Sequence, residues 1–256
     1  MGNAAVFFYF SALFLTANAC FGQNSLEIEN PEINIASEPN LWNGSFAAGL
    51  NGKSGNSQSV DLNLEMKWGR ETVSNKTDLI ANYFYSTNQI ATVTDRFFGQ
   101  ARRERKIKDG RVSAFGQTAI NWDRFKNYDY RIALHSGLSY ELLKEDRSAF
   151  TTRWGAGSSK EVGAVIDEWI PELQFGADWK RQITDSVNTY CNVDYYPSFK
   201  NFEEYRVNTN AGLEFLIDWK RDINFRIFAF NRYDSTPPLG NVSSDLDYGF
   251  ALAFDF

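Results

Sequence analysis

The sequence predicts an all-β fold: a transmembrane antiparallel up-and-down β-barrel of about twelve strands. Three observations predict it. From Leu41 onward apolar and polar residues alternate with a period close to 2, which gives each strand two unlike faces. Short charged turns alternate with connections that are often longer, as in a membrane barrel. Aromatic residues make up 16% of the 256 residues, and they stand near the ends of the apolar rows.

The chain opens with an apolar run from Ala4 to Ala17, AAVFFYFSALFLTA. It is shorter than the roughly 20 residues a membrane-spanning helix needs. The small residues Ala17-Asn18-Ala19 follow, so residues 1–19 read as a signal peptide. Cleavage falls after Ala19 or as late as residue 22. Cys20 is a candidate for lipidation, although Ala17 stands where a lipobox has Leu. Residues 20–40 carry Glu27, Glu29, Glu32 and Glu38 without a clear period and read as a flexible acidic segment. The barrel takes residues 41–256.

Within it, strands are expected near 41–51, 58–70, 76–87, 94–107, 112–124, 128–143, 148–158, 168–181, 186–198, 204–220, 223–234 and 245–256. The last is the clearest. Leu246, Tyr248, Phe250, Leu252, Phe254 and Phe256 form one row, and Asp245, Asp247, Gly249, Ala251, Ala253 and Asp255 the other. In 204–220 only Leu216 breaks the polar row. Phe97-Phe98 and Ile120-Asn121-Trp122 blur the fourth and fifth strands. No window has a helical period.

Alternation fits a soluble core as well as a membrane wall, so the faces must be assigned by chemistry. Trp169 and Trp179 bracket Pro171, Leu173, Phe175 and Ala177. Their separation along a tilted strand is roughly 25 Å, the height of a membrane barrel's apolar band. Trp68, Trp169, Trp179, Tyr205 and Trp219 therefore read as an aromatic girdle, placed where an apolar ring can keep a polar edge wet. Trp68-Gly69-Arg70, Trp179-Lys180-Arg181 and Trp219-Lys220-Arg221 add cations at headgroup level. The opposite rows are too charged for a dry core. Arg131, His135, Glu141, Arg153, Arg206, Glu214 and Arg226 are the expected lumen-lining residues, and their mixed sign implies ion pairs rather than a single-sign filter. Tyr248, Phe250, Leu252, Phe254 and Phe256 resemble the C-terminal signal of outer-membrane barrels, which implies insertion by the barrel assembly machinery.

A formal net charge of −6 argues against a nucleic-acid partner. Two Cys and one His leave no basis for a Cys/His zinc site. No cofactor is expected. Cys191 falls on the apolar face and reads as an inert, lipid-facing thiol. His135 is the one candidate base. A lipid hydrolase would need a Ser within hydrogen-bond reach of it, whereas Ser136 lies on the opposite face and Ser139 about 13 Å along the strand.

The stretch Trp42-Asn43-Gly44 through Ser54-Gly55-Asn56-Ser57 resembles the first hairpin of the YdiY-like family, described as salt-induced outer-membrane proteins and a domain of unknown function. Trp122-Asp123-Arg124-Phe125, Tyr130-Arg131 and Gly137-Leu138-Ser139-Tyr140 extend the resemblance over about 40–256. Phe115-Gly116-Gln117 agrees with the family pattern, while His135 departs from it. The resemblance implies an outer-membrane barrel and supplies no catalytic residues. Expected partners are outer-membrane lipid and small solutes or ions. The functional expectation is a narrow small-solute pore or an envelope protein serving osmotic adaptation. A structural barrel with a filled lumen and a lipid-acting hydrolase are the alternatives.

Overall fold

A computed structural model describes residues 42–53, 59–88, 90–107, 111–165, 167–237 and 242–256. The signal peptide, the acidic segment, Cys20 and the Ser54–Ser57 turn lie outside the described residues. The elements are β1 (Trp42–Lys53), β2 (Ser59–Glu71), β3 (Asn75–Asn88), β4 (Thr92–Ile107), β5 (Val112–Asp123), β6 (Tyr130–Glu145), β7 (Ser148–Val162), β8 (Ile170–Thr184), β9 (Val187–Pro197), β10 (Tyr205–Asp218), β11 (Ile223–Asp234) and β12 (Ser244–Asp255). Each pairs antiparallel with its sequence neighbours, and β1 pairs with β12 to close the barrel.

The seam is in register from Ser45↔Asp255 to Ala48↔Leu252. Gly44 N donates to Phe256 O (2.7 Å) and Phe256 N to Gly44 O (2.8 Å). Closure leaves no sheet edge for lipid to meet. No described helix is long and apolar enough to cross a membrane; the strands cross instead.

The outer wall is apolar. Leu138 (50%), Trp154 (50%), Phe250 (52%) and Tyr248 (77%) are exposed. Ala251, Ala253, Gln117 and Ser139, at the alternate positions, are buried. So continuous a belt of exposed rings and aliphatics exceeds what a water-soluble surface carries. With charged groups inside, it is the wall of an outer-membrane-type barrel. Trp169, Trp68 and Trp219 are exposed, and Trp179 and Tyr205 half-buried. Tyr205 packs against Tyr195 (5.5 Å) and Tyr233 (5.6 Å) at the loop end. One tryptophan departs from the girdle: Trp154 stands in mid-wall, in register with Leu138 and Phe175.

Two irregularities of the sequence find their reason here. Leu216 breaks its polar row because the β10–β11 register slips between Leu216 and Asp218. The bulge leaves Ile217 without a partner and exposed. β10 then ends at Asp218, whose Oδ1 accepts from Lys220 N at 2.9 Å. Trp219 therefore sits in the turn rather than in the strand, with Lys220 Nζ 5.5 Å over its ring. Phe97-Phe98 blurs β4 because one ring lies on each face. Phe97 is exposed, while Phe98 lies 6.1 Å from Phe230. Phe84 stacks on Phe230 at 6.3 Å, and Phe115 is buried as well. The inner face is thus not uniformly polar, contrary to the alternation rule.

The assigned faces make a depth-dependent prediction. Leu138→Arg in mid-wall should destabilise the barrel by about 2–4 kcal/mol, and Leu142→Arg at the short-turn rim by about 0–1 kcal/mol. Denaturant unfolding in lipid vesicles measures both; equal costs would contradict the depth assignment.

Candidate functional site

All seven residues expected to line the lumen point inward, and most of them are tied into ion pairs. Arg153, on β7, is 1% exposed. Its guanidinium pairs with Asp178 on β8 and, at 3.0 Å, with Asp194 on β9. Gly176 makes the room: a Cβ there would lie 2.6 Å from both Arg153 Nη2 and Asp194 Oδ1. From β4, Arg102 approaches Asp178 (3.7 Å), Asp78 (3.5 Å) and Glu104 (3.2 Å). Ser139 Oγ donates to Glu104 at 3.1 Å. Gln174 is 0% exposed and donates to Asp194 (3.3 Å) and Gln117 (3.4 Å).

His135 belongs to the adjoining cluster. Its Nε2 lies 2.9 Å from Glu172 Oε1, and its ring is 5.0 Å from that of Tyr196. Arg206 donates to the other oxygen of Glu172, and Ser159 Oγ reaches the same oxygen at 3.3 Å. A nucleophilic triad needs the imidazole between hydroxyl and carboxylate. Here the carboxylate stands between imidazole and hydroxyl. His135 Nδ1 is buried with no hydrogen-bond partner among the described residues, so no serine is activated at that nitrogen.

Arg226 pairs with Glu65 and, at 2.7 Å, with Glu214. Lys67 joins Glu65 at 3.0 Å and stands 4.9 Å over the ring of Tyr190. Gly212 leaves space for that ring, whose hydroxyl would be 2.6 Å from a Cβ. Toward the loops, Arg96 and Arg232 share Asp247, while Arg131 pairs with Glu161 and approaches Asp234 at 3.5 Å. Arg131 also lies 5.2 Å over Tyr128, a loop residue whose burial raises its phenol above the usual value. Glu141 sits at the short-turn rim beside Lys144 (3.2 Å). Cys191 has the outward parity expected of it, in register with Trp179 and Ala211, and is half-buried.

Many of these contacts cross the lumen. Arg96 to Asp247 joins β4 to β12, Arg226 to Glu65 joins β11 to β2, and Arg131 to Asp234 joins β6 to β11. A cavity of about 20 Å³ remains beside Glu65, Arg226 and Phe84. Another of about 60 Å³ lies beside Lys126, Arg131 and Arg232. A single water needs about 10–15 Å³ on this measure, so these are spaces for a water or a few. Among the described residues no group of three His, Cys, Asp or Glu is placed to hold a metal ion.

Sequence reasoning did not single out Arg102, Gln174, Asp194 or Tyr196. Their inward parity was a usable signal. Their mutual contacts were not, because they come from strands far apart in the chain.

The model of a protein family of unknown function, DUF481, matches residues 46–256. No curated protein matches the chain. Among solved structures, the NanC porin is 10% identical with a TM-score of 0.42, covering 84% of this chain and 98% of its own. An outer membrane channel from Pseudomonas putida F1 is 8% identical with a TM-score of 0.42, covering 90% and 98%. The outer membrane channel DcaP of Acinetobacter baumannii is 8% identical with a TM-score of 0.39, covering 84% and 95%.

Removing one member of a buried ion cluster leaves its partners uncompensated. Arg153→Ala should therefore cost about 3–5 kcal/mol in denaturant unfolding. Asp194→Asn in the Arg153→Ala background should recover part of that loss, and strict additivity would show that the two do not interact.

Proposed function

The chain belongs to the DUF481 family of unknown function, and from that premise we propose that it is an outer-membrane barrel that stands closed, an envelope protein rather than an open pore. The observation that carries this reading is the complete burial of Arg153 and Gln174 inside the lumen. A guanidinium and an amide so enclosed are what a lumen packed with side chains, rather than filled with water, would contain. A narrow solute pore of the kind alternation suggests would require the clusters around Arg153 and Glu172 to part. Their hydrogen bonds and charges hold one another in place.

The remaining parts fit an envelope role. The girdle residues Trp68, Trp169, Trp179, Tyr205 and Trp219 anchor the wall at its two interfaces. The short turns, the start of β1 and the end of β12 face the periplasm, and the row from Tyr248 to Phe256 is presented to the assembly machinery. The resemblance to salt-induced proteins directs the physiological reading to osmotic adaptation. A lipid hydrolase is disfavoured by the inverted order of His135, Glu172 and Ser159.

Purified protein in planar bilayers should give no steady conductance. Replacing Arg153 and Gln174 together by Ala, in protein that still folds, should produce small conductance steps by emptying the most enclosed part of the lumen. Steady wild-type conductance would overturn the closed reading. Release of fatty acid from reconstituted lipid, abolished by His135→Ala, would replace it with the hydrolase.

A further inference from the structure

The aromatic belt at the short-turn rim has a gap. Trp42, Trp68, Trp179 and Trp219 mark that rim on β1, β2, β8 and the β10–β11 turn. Across β3, β4 and β5 the corresponding outward positions carry no ring. They hold Asn75 and Thr77, Arg103 and Arg105, and Ala114 and Gly116, paired in register as Thr77↔Arg103↔Gly116 and Asn75↔Arg105↔Ala114.

The direction of the two arginines is fixed by their neighbours. Arg102 and Glu104 point into the lumen, where they pair with each other and Arg102 with Asp78. Arg103 and Arg105 therefore point outward, and both are exposed. They stand about 6.6 Å apart on one face. Neither makes an ion pair or hydrogen bond with a described residue. No carboxylate shares their outer face on β3, β4 or β5 at this end. On β2, Arg70 is in register with Thr77; it lies 5.9 Å over the ring of Trp42, and its Nε is buried without a partner.

The depth matches the lipid headgroups. Arg103 lies four residues from the end of β4, compared with three for Trp68 on β2 and five for Trp179 on β8. A guanidinium at the edge of hydrocarbon reaches the headgroup level at little cost, and one with no described partner there is open to a lipid anion. The wall beside them is open, since a Cβ on Gly116 would have nothing within 4 Å.

We propose that this gap is a binding site for one anionic phospholipid of the leaflet facing the short turns. Arg103 and Arg105, with Arg70 across β3, hold the phosphate, for which guanidinium offers paired donors. An acyl chain lies along the low surface of Ala114, Gly116 and Thr118. The site rests on the barrel crossing a membrane and is independent of whether the lumen conducts.

The test uses the full chain in neutral detergent, reading the temperature at which the folded gel band is lost. Phosphatidylglycerol should raise it by about 5–10 °C. Phosphatidylcholine and inorganic phosphate should raise it little. R103Q/R105Q should abolish the shift, and K220Q/R221Q, basic residues of the β10–β11 turn elsewhere on the same rim, should keep it. An equal shift with phosphatidylcholine, or with inorganic phosphate, would overturn the proposal, as would an undiminished shift in R103Q/R105Q. Native mass spectrometry of the wild type supplies a readout that needs no variant. One retained phosphatidylglycerol per chain is expected, and none under conditions that keep the barrel folded would overturn the site.

Discussion

No water reaches the hydrocarbon core of a bilayer, so every strand edge inside it must be bonded to another strand. In this chain that requirement is met at the seam, where Gly44 and Phe256 exchange backbone hydrogen bonds and β1 and β12 run side by side. Closure fixes everything else. It turns a period of 2 into an outside and an inside, and it brings residues from opposite ends of the chain within reach across one narrow lumen.

That lumen is small for the side chains it receives. Arginine and glutamate are long, and with twelve strands several of them reach one another across it. The result is a set of linked ion clusters around Arg153, Glu172 and Arg226, with rings such as Phe84 and Phe230 filling space between them. Inward glycines belong to the same design, because Gly176 and Gly212 leave room for a guanidinium and a phenol. Each buried charge is tolerable because it has partners, so the clusters are cooperative. This is the physical basis of the proposal that the barrel stands closed.

The outer wall obeys a different rule. There a polar group is favourable only where the membrane itself is polar. Indole rings and cations mark such depths on most of the short-turn rim, while β3 to β5 present arginines without rings. A sector that breaks its own girdle with cations that have no partner among the described residues is what the proposed lipid phosphate would explain.

The sequence by itself determined the fold class, the strand ranges to within a few residues and, for the clearly alternating strands, the face on which most charges lie. Those follow from local alternation, which survives whatever the strands later touch. It also marked Leu216 and Phe97-Phe98 as irregular without giving the reason, a bulge in one case and a ring on each face in the other. The tertiary structure alone decided which charges meet. Glu172 lies between His135 and Arg206, and Asp247 between Arg96 and Arg232, because barrel closure sets strand neighbours and register. Such pairs join residues separated by much of the chain, and no periodicity along it records them. Whether the inward rows enclose water or one another was likewise a matter of lumen width against side-chain length, a quantity that exists only once the sheet has closed.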